Sequence, residues 1–346
     1  MKISRGRLVQ ILIAAACVGW LAYTIYKLGP RTVLAVARQA DATWLALSFV
    51  PIFGRFVIWG FKWNGMLRRR GPISYPNTLR ALLAGVFVNL TTPTAKLAGG
   101  FVRAALVNRR TGWGMAQTYG WSLADQITNV LGNLSLYGLL AVSAGYSMAA
   151  GVSRGQLLAS GVVALATVVI VVSLRARAWV LFQKPGLARV LARVTPARYR
   201  TTESGRPMAG WVRPVFEPLL HHGRTIVVAP RDLALGAASF GTLCIANAMV
   251  LQALGADAHL AKVSVAVVVG YFFGTIFGTL GGIGVTEVAL VELYTLAGVS
   301  REVAAAGALL HRASYYLVIL LWGGVSLALE GRGFAQTNTP ETIERS

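Results

Sequence analysis

The chain has 346 residues, 55% of them hydrophobic and only 13% charged, with a mean hydropathy of +0.60. A soluble domain carries about 25% charged residues, so the composition excludes an ordinary soluble fold and points to an all-α polytopic membrane protein. The charge is lopsided, with 33 Lys+Arg against 12 Asp+Glu. The basic residues fall between apolar runs, where they set orientation and meet anionic headgroups, so nucleic acid is not expected as a partner.

Taken in chain order, the apolar runs predict about eight membrane segments: 8–27, 43–61, 77–92, 114–150, 155–174, 232–254, 261–280 and 301–329. Segments of about 20 residues match a hydrocarbon core about 30 Å thick. "IAAAC" at 13–17 resembles a lipoprotein cleavage site, but the apolar run continues through Tyr23 and predicts an uncleaved first span. The region 114–150 is too long for one straight crossing and predicts a bend or a tilted lead-in. Cys17 and Cys244 lie in apolar segments and read as packed residues. No Cys/His spacing suggests a metal, and no cofactor is expected.

Lys2, Arg5 and Arg7, then Arg68, Arg69 and Arg70, place the N-terminus and the second connection on the cytoplasmic side. The connector 175–231 holds eleven basic residues and two acids, and belongs inside as well. Lys27, Arg31 and Arg38 conflict with this, and an interfacial outer helix would accommodate them. Within the connector, "GLARVLARV" sets Leu187, Val190, Leu191 and Val194 on one helical face against Arg189 and Arg193, an interfacial amphipathic pattern or a solvated linker. His221 and His222 read as surface residues. Residues 1–330 are expected to form one transmembrane domain, followed by a disordered tail at 331–346. Both termini are then cytoplasmic.

Two glycine-rich stretches interrupt this pattern: "NLTTPTAKLAGGFVRAAL" at 89–106 and "GTLGGIGVTE" at 278–287. Aligning Gly99 and Gly100 with Gly281 and Gly282 brings Arg103 between Gly284 and Glu287, and Asp125 near His311 and Arg312. Each stretch reads as an apolar run, a break (with Pro93 in the first and Gly284 in the second), a charge, an apolar helix and an ionisable residue within a span. Counted from a cytoplasmic N-terminus, the breaks enter from opposite sides. They would be opposed re-entrant hairpins of an inverted repeat. Broken backbone is tolerated at membrane depth only inside protein or beside a watery cavity. The bland alternative is small-residue packing between helices.

Ionisable residues at membrane depth are costly and need a partner or water. Arg55, Lys62 and Arg80 are expected near the interface, snorkelling. Glu292 is also expected there. Arg103 and Arg312 are candidates to hold a lipid phosphate. Asp125 and Glu287 are their counter-ions when the site is empty, or protonatable coupling groups.

The stretches "KWNGML" (62–67), "NLTTPTAKLAGGFVRAALVNRRTG" (89–112), "GTIFGTLGGIGVTEVALVELYTLAGV" (274–299) and "ALLHRASYY" (308–316) together resemble the transmembrane-region family of lysylphosphatidylglycerol synthases, flippase-like membrane proteins. The resemblance covers about 45 to 330. Two departures stand out: Asp125-Gln126 and Asn129 occupy positions where the family often has an acid–Arg pair and a second acid, and "FGTL" lacks a proline common before the second Gly-Gly. The resemblance implies translocation of an anionic phospholipid, an aminoacylated phospholipid or a polyprenyl-phosphate lipid across the cytoplasmic membrane. It also implies a separate lipid-modifying enzyme as partner, since the aminoacyl-transferring domain of the larger synthases is not expected in this chain. Two other readings stay open: a membrane-embedded transferase or hydrolase with Asp125 or Glu287 as base, and a non-catalytic accessory subunit.

Overall fold

The computed structural model describes residues 19, 23, 26, 30–91, 97–147, 229–276 and 284–336. The first predicted span apart from residues 19, 23 and 26, the span at 155–174, residues 175–228 of the amphipathic connector and residues 337–346 of the tail lie outside the described residues. So do Pro93, Gly281, Gly282, Cys17, Lys27, Lys96, His221 and His222. Residues 331–336, expected to be disordered, instead continue the last helix. The described residues are helical: α1 (Pro30–Arg38), α2 (Ala42–Arg68), α3 (Tyr75–Thr91), α4 (Leu97–Thr111), α5 (Met115–Ser147), α6 (Pro230–Ala253), α7 (Leu260–Ile276), α8 (Val285–Leu296), α9 (Arg301–Val318), a π turn (Ile319–Gly323) and α10 (Gly324–Gln336).

Local chemistry sets several of these ends. Asp41 caps α2 by accepting from the Thr43 and Trp44 amides at 2.7 and 3.1 Å. Those bonds, the Trp44 one first, hold its carboxyl below the ordinary 3.8. Pro230 opens α6 at a position where no amide bond is lost. Ser300 caps α9 through the Val303 amide.

Among the described residues, three stretches are long and apolar enough to cross a membrane: α2, α6, and the run from Arg301 to Glu330 through the π turn. Leu317, Leu320, Leu321, Trp322, Val325 and Leu329 of that run are exposed, as a lipid-facing surface requires. Within the 114–150 region, Met115–Ser147 form the single 33-residue helix α5. By contrast, α3 and α7 have 17 residues each, α4 has 15 and α8 has 12. At 1.5 Å per residue these are about 18–25 Å long, shorter than the hydrocarbon core.

α2 and α6 run antiparallel along their whole length. The Asp41 amide donates to the Ala253 carbonyl at 2.7 Å, and at the far end Arg69 pairs with Asp232 at 2.6 Å. Each is followed by a short helix, a segment outside the described residues, a second short helix and a long helix. α3 packs on α4 and α4 on α5; α7 packs on α8 and α8 on α9. The contacts between the two sets are also matched, with α5 against α7 and the π turn and α10 against α3.

The α3/α4 pair is a tight antiparallel hairpin. Asn89 Oδ1 accepts the Gly99 amide at 2.8 Å near the break. At the other end Arg110 donates to Asn77 at 2.6 Å. Gly99 and Gly100 therefore lie in the first turn of α4 rather than in the break itself. A Cβ on Gly99 would sit 2.1 Å from the Gly85 carbonyl oxygen, so glycine here permits backbone contact between helices. Gly284 has a different task. It starts α8 with φ +85°, a conformation glycine adopts at no steric cost.

Candidate functional site

In the first half, α2, α4 and α5 converge on Asp125, which is fully buried. Lys62 Nζ lies 2.9 Å from Asp125 Oδ1, and Arg103 Nη1 lies 2.9 Å from Oδ2. Trp59 Nε1 donates to the same Oδ2 at 2.9 Å. Lys62 also donates to the Asp125 carbonyl at 3.1 Å and to Asn129 Oδ1 at 2.8 Å. The Arg103 guanidinium donates to the Ser122 carbonyl at 3.3 Å and faces the Trp63 ring at 4.7 Å. One carboxylate thus serves two buried cations.

Lys62 corrects the sequence-based expectation. It is 0% exposed and bound to Asp125, not snorkelling at an interface. The apolar run ends at Phe61, but α2 continues to Arg68, so Lys62 stands two turns inside the helix. Asn64 and Thr78, joined at 2.9 Å, lock that part of α2 to α3. Arg80 is exposed, as expected. Glu292 is 41% exposed and pairs with Arg301.

In the second half, Arg312 of α9 donates from Nε to Glu287 Oε1 at 2.5 Å, and both side chains are 5% exposed. Glu287 Oε2 accepts the Gly284 amide at 2.8 Å. Its charge therefore sits where the first amides of α8 have no helical partner. Tyr316 lies under the Arg312 guanidinium at 4.8 Å. Next to this pair a neutral network fills the space: Tyr294 donates to Asn247 Oδ1 at 2.7 Å, and Asn247 Nδ2 lies 3.0 Å from His311 Nε2.

Between the halves lies a cavity of about 480 Å³, lined by residues that include Arg55, Trp59, Asn129, Phe240, Tyr271 and Arg312. Of the four charged residues singled out from the sequence, Arg312 lines it. Glu287 touches Arg312, and Asp125 touches Trp59. Arg103 is buried on Asp125 and is 3% exposed. The carboxylate–cation sets are therefore walls, and the cavity surface is mostly aliphatic and aromatic, with arginine and amide groups set into it.

Sequence reasoning placed Arg55 at the interface; the structure places it in this cavity. It stands near the midpoint of the 27-residue α2, one helical face with Trp59 and Lys62. That spacing of four and three residues is a readable signal.

The model of the lysylphosphatidylglycerol synthase transmembrane region matches residues 7–323, both halves and both breaks included. The chain belongs to that family. It is also similar to a UPF0104 membrane protein of Pyrococcus horikoshii, at 22% identity over 313 residues, covering 88% of this chain and 92% of that one. In this family member, no group of three or more His, Cys, Asp or Glu that could hold a metal occurs among the described residues. Family membership makes it an integral membrane protein with a lipid-related role. It also explains why the sequence carries buried ion pairs among apolar helices.

Proposed function

We propose that this protein carries a phosphate-bearing lipid between the leaflets of the cytoplasmic membrane. The headgroup enters the cavity between the two halves, and the acyl chains stay in the bilayer. The observation that carries this reading is the cavity itself, about 480 Å³ and lined from α2, α3 and α5 on one side and from α6, α7 and α9 on the other. Its volume falls within the roughly 300–1,000 Å³ of small-molecule sites.

The two halves act as an inverted repeat, with α3/α4 and α7/α8 as re-entrant hairpins. The antiparallel α2 and α6 and the shortness of the four hairpin helices support this. Domain 1–330, with both termini inside, is the unit that moves the lipid, and a separate lipid-modifying enzyme supplies it. Asp125 and Glu287 hold the walls of the cavity closed around their cations, and relaxation of those pairs opens it to one leaflet or the other. A transferase or hydrolase reading has less support, because both carboxylates are committed to cations rather than poised toward the cavity.

The test is leaflet-resolved translocation of fluorescent phosphatidylglycerol in proteoliposomes. Wild type should exchange the lipid, and Glu287→Gln and Arg312→Lys should slow it while inserting normally. Wild-type rates equal to empty liposomes across phosphatidylglycerol, aminoacylated phosphatidylglycerol and polyprenyl phosphate would end the transport reading.

A further inference from the structure

The charge of the cavity narrows the lipid. We infer that Arg55 is the anchor for the phosphate of an anionic lipid headgroup, and that the cavity rejects cationic, aminoacylated headgroups. The inference rests on the transport site proposed above and names its substrate class.

Arg55 lies in the middle of a membrane-crossing helix and among the described residues has no carboxylate partner. Its Nε and Nη1 are buried and without a hydrogen-bond acceptor among those residues. Three rings surround its guanidinium carbon, Phe240 at 5.2 Å and Trp59 and Tyr315 at 6.0 Å. Its unpaired N–H donors are of the kind that take an oxyanion through paired bonds. A half-buried arginine in the middle of a membrane-crossing helix is costly without an anion, so this one is completed by a ligand that brings negative charge.

The other lining residues agree. Arg312 is neutralised by Glu287, and no Asp or Glu lines the cavity among the described residues. The polar remainder is amide-rich: Asn89, Gln126, Asn129 and Asn133 all lie along the cavity. Amides bond the hydroxyls of a glycerol or sugar headgroup, whereas an ammonium group would face Arg55 with no carboxylate to offset the repulsion.

Binding to the full-length protein in detergent, followed by calorimetry, tests this with dioctanoyl phosphatidylglycerol, dioctanoyl lysyl-phosphatidylglycerol and sn-glycerol 3-phosphate. Wild type should bind phosphatidylglycerol at least about tenfold more tightly than the lysyl lipid. Arg55→Gln should lower phosphatidylglycerol affinity by about tenfold or more and abolish that preference, while Arg55→Lys should fall between. Equal wild-type affinity for the two lipids would overturn the inference, whatever the variants do. An unchanged preference in a folded Arg55→Gln protein would do so as well. Glycerol phosphate binding as tightly as the lipid would assign the site to a soluble phosphate ester and remove the lipid headgroup. These outcomes separate from those of transport. Selective binding with no translocation leaves the headgroup site and removes the carrier, whereas translocation indifferent to Arg55 does the reverse.

Discussion

The two halves of this protein solve one problem with opposite charges. In the first, the short helix α4 carries the cation, Arg103, and the long helix α5 carries the carboxylate, Asp125. In the second, the short helix α8 carries the carboxylate, Glu287, and the long helix α9 carries the cation, Arg312. A further difference lies in the antiparallel pair. α2 contributes a second buried cation, Lys62, whereas α6 contributes the neutral Asn247 to the corresponding network. The first cluster therefore holds two cations on one carboxylate, and the second is balanced. The comparison teaches that pairing is retained while sign is free, because an ion pair needs only complementarity. Glu287 gains one thing by its placement that Arg103 cannot, namely a bond to a free amide at a helix start.

That asymmetry predicts unequal damage. Asp125→Ala leaves Lys62 and Arg103 buried without a counter-charge and should have the largest effect, at or beyond the ~3–5 kcal/mol of breaking one buried pair. Glu287→Ala strands only Arg312 and should cost about 3–5 kcal/mol. Thermal unfolding in detergent orders the two, and an Asp125 variant more stable than the Glu287 variant would break the comparison.

A smaller effect separates the hairpins. A methyl on Gly99 meets backbone, the Gly85 carbonyl at 2.1 Å, whereas one on Gly270 meets the flexible end of Leu290 at 3.0 Å. Gly99→Ala should therefore cost about 1–3 kcal/mol as overpacking, and Gly270→Ala distinctly less. The same melting experiment reads both, and equal losses would show that the two hairpins close with equal tightness. The smallest effect is expected at the surface. Arg301→Ala removes a pair whose members are both 41% exposed, and it should change stability by no more than ~1 kcal/mol. A larger loss in that variant would mean that Glu292 and Arg301 tie α8 to α9 as firmly as Glu287 and Arg312 do.

Much of the candidate site was legible before any coordinates. Arg103, Asp125, Glu287 and Arg312 stand out because an ionisable residue inside an apolar run has few affordable explanations. The breaks were visible as glycine and proline clusters between apolar segments. Gly99 fits the packing alternative rather than the break, since a close backbone contact and a helix break demand the same residue. Lys62 was misplaced because hydropathy ends the span at Phe61, while hydrogen bonding carries the helix on to Arg68. Asn247 and Tyr294 left no sequence signal. A polar residue in a helix becomes remarkable only when its partner, 47 residues away, is found within bonding distance.

The sequence by itself determined the solvent this protein lives in, its family and the charges that must be paired. Those follow from composition and from the cost of placing charge in hydrocarbon, both local properties of the chain. Only the tertiary structure decided which carboxylate meets which cation, and that Arg55 lines the cavity with no acid beside it among the described residues. That decision depends on helices far apart in sequence, α2 with α5 and α6, brought into contact by packing.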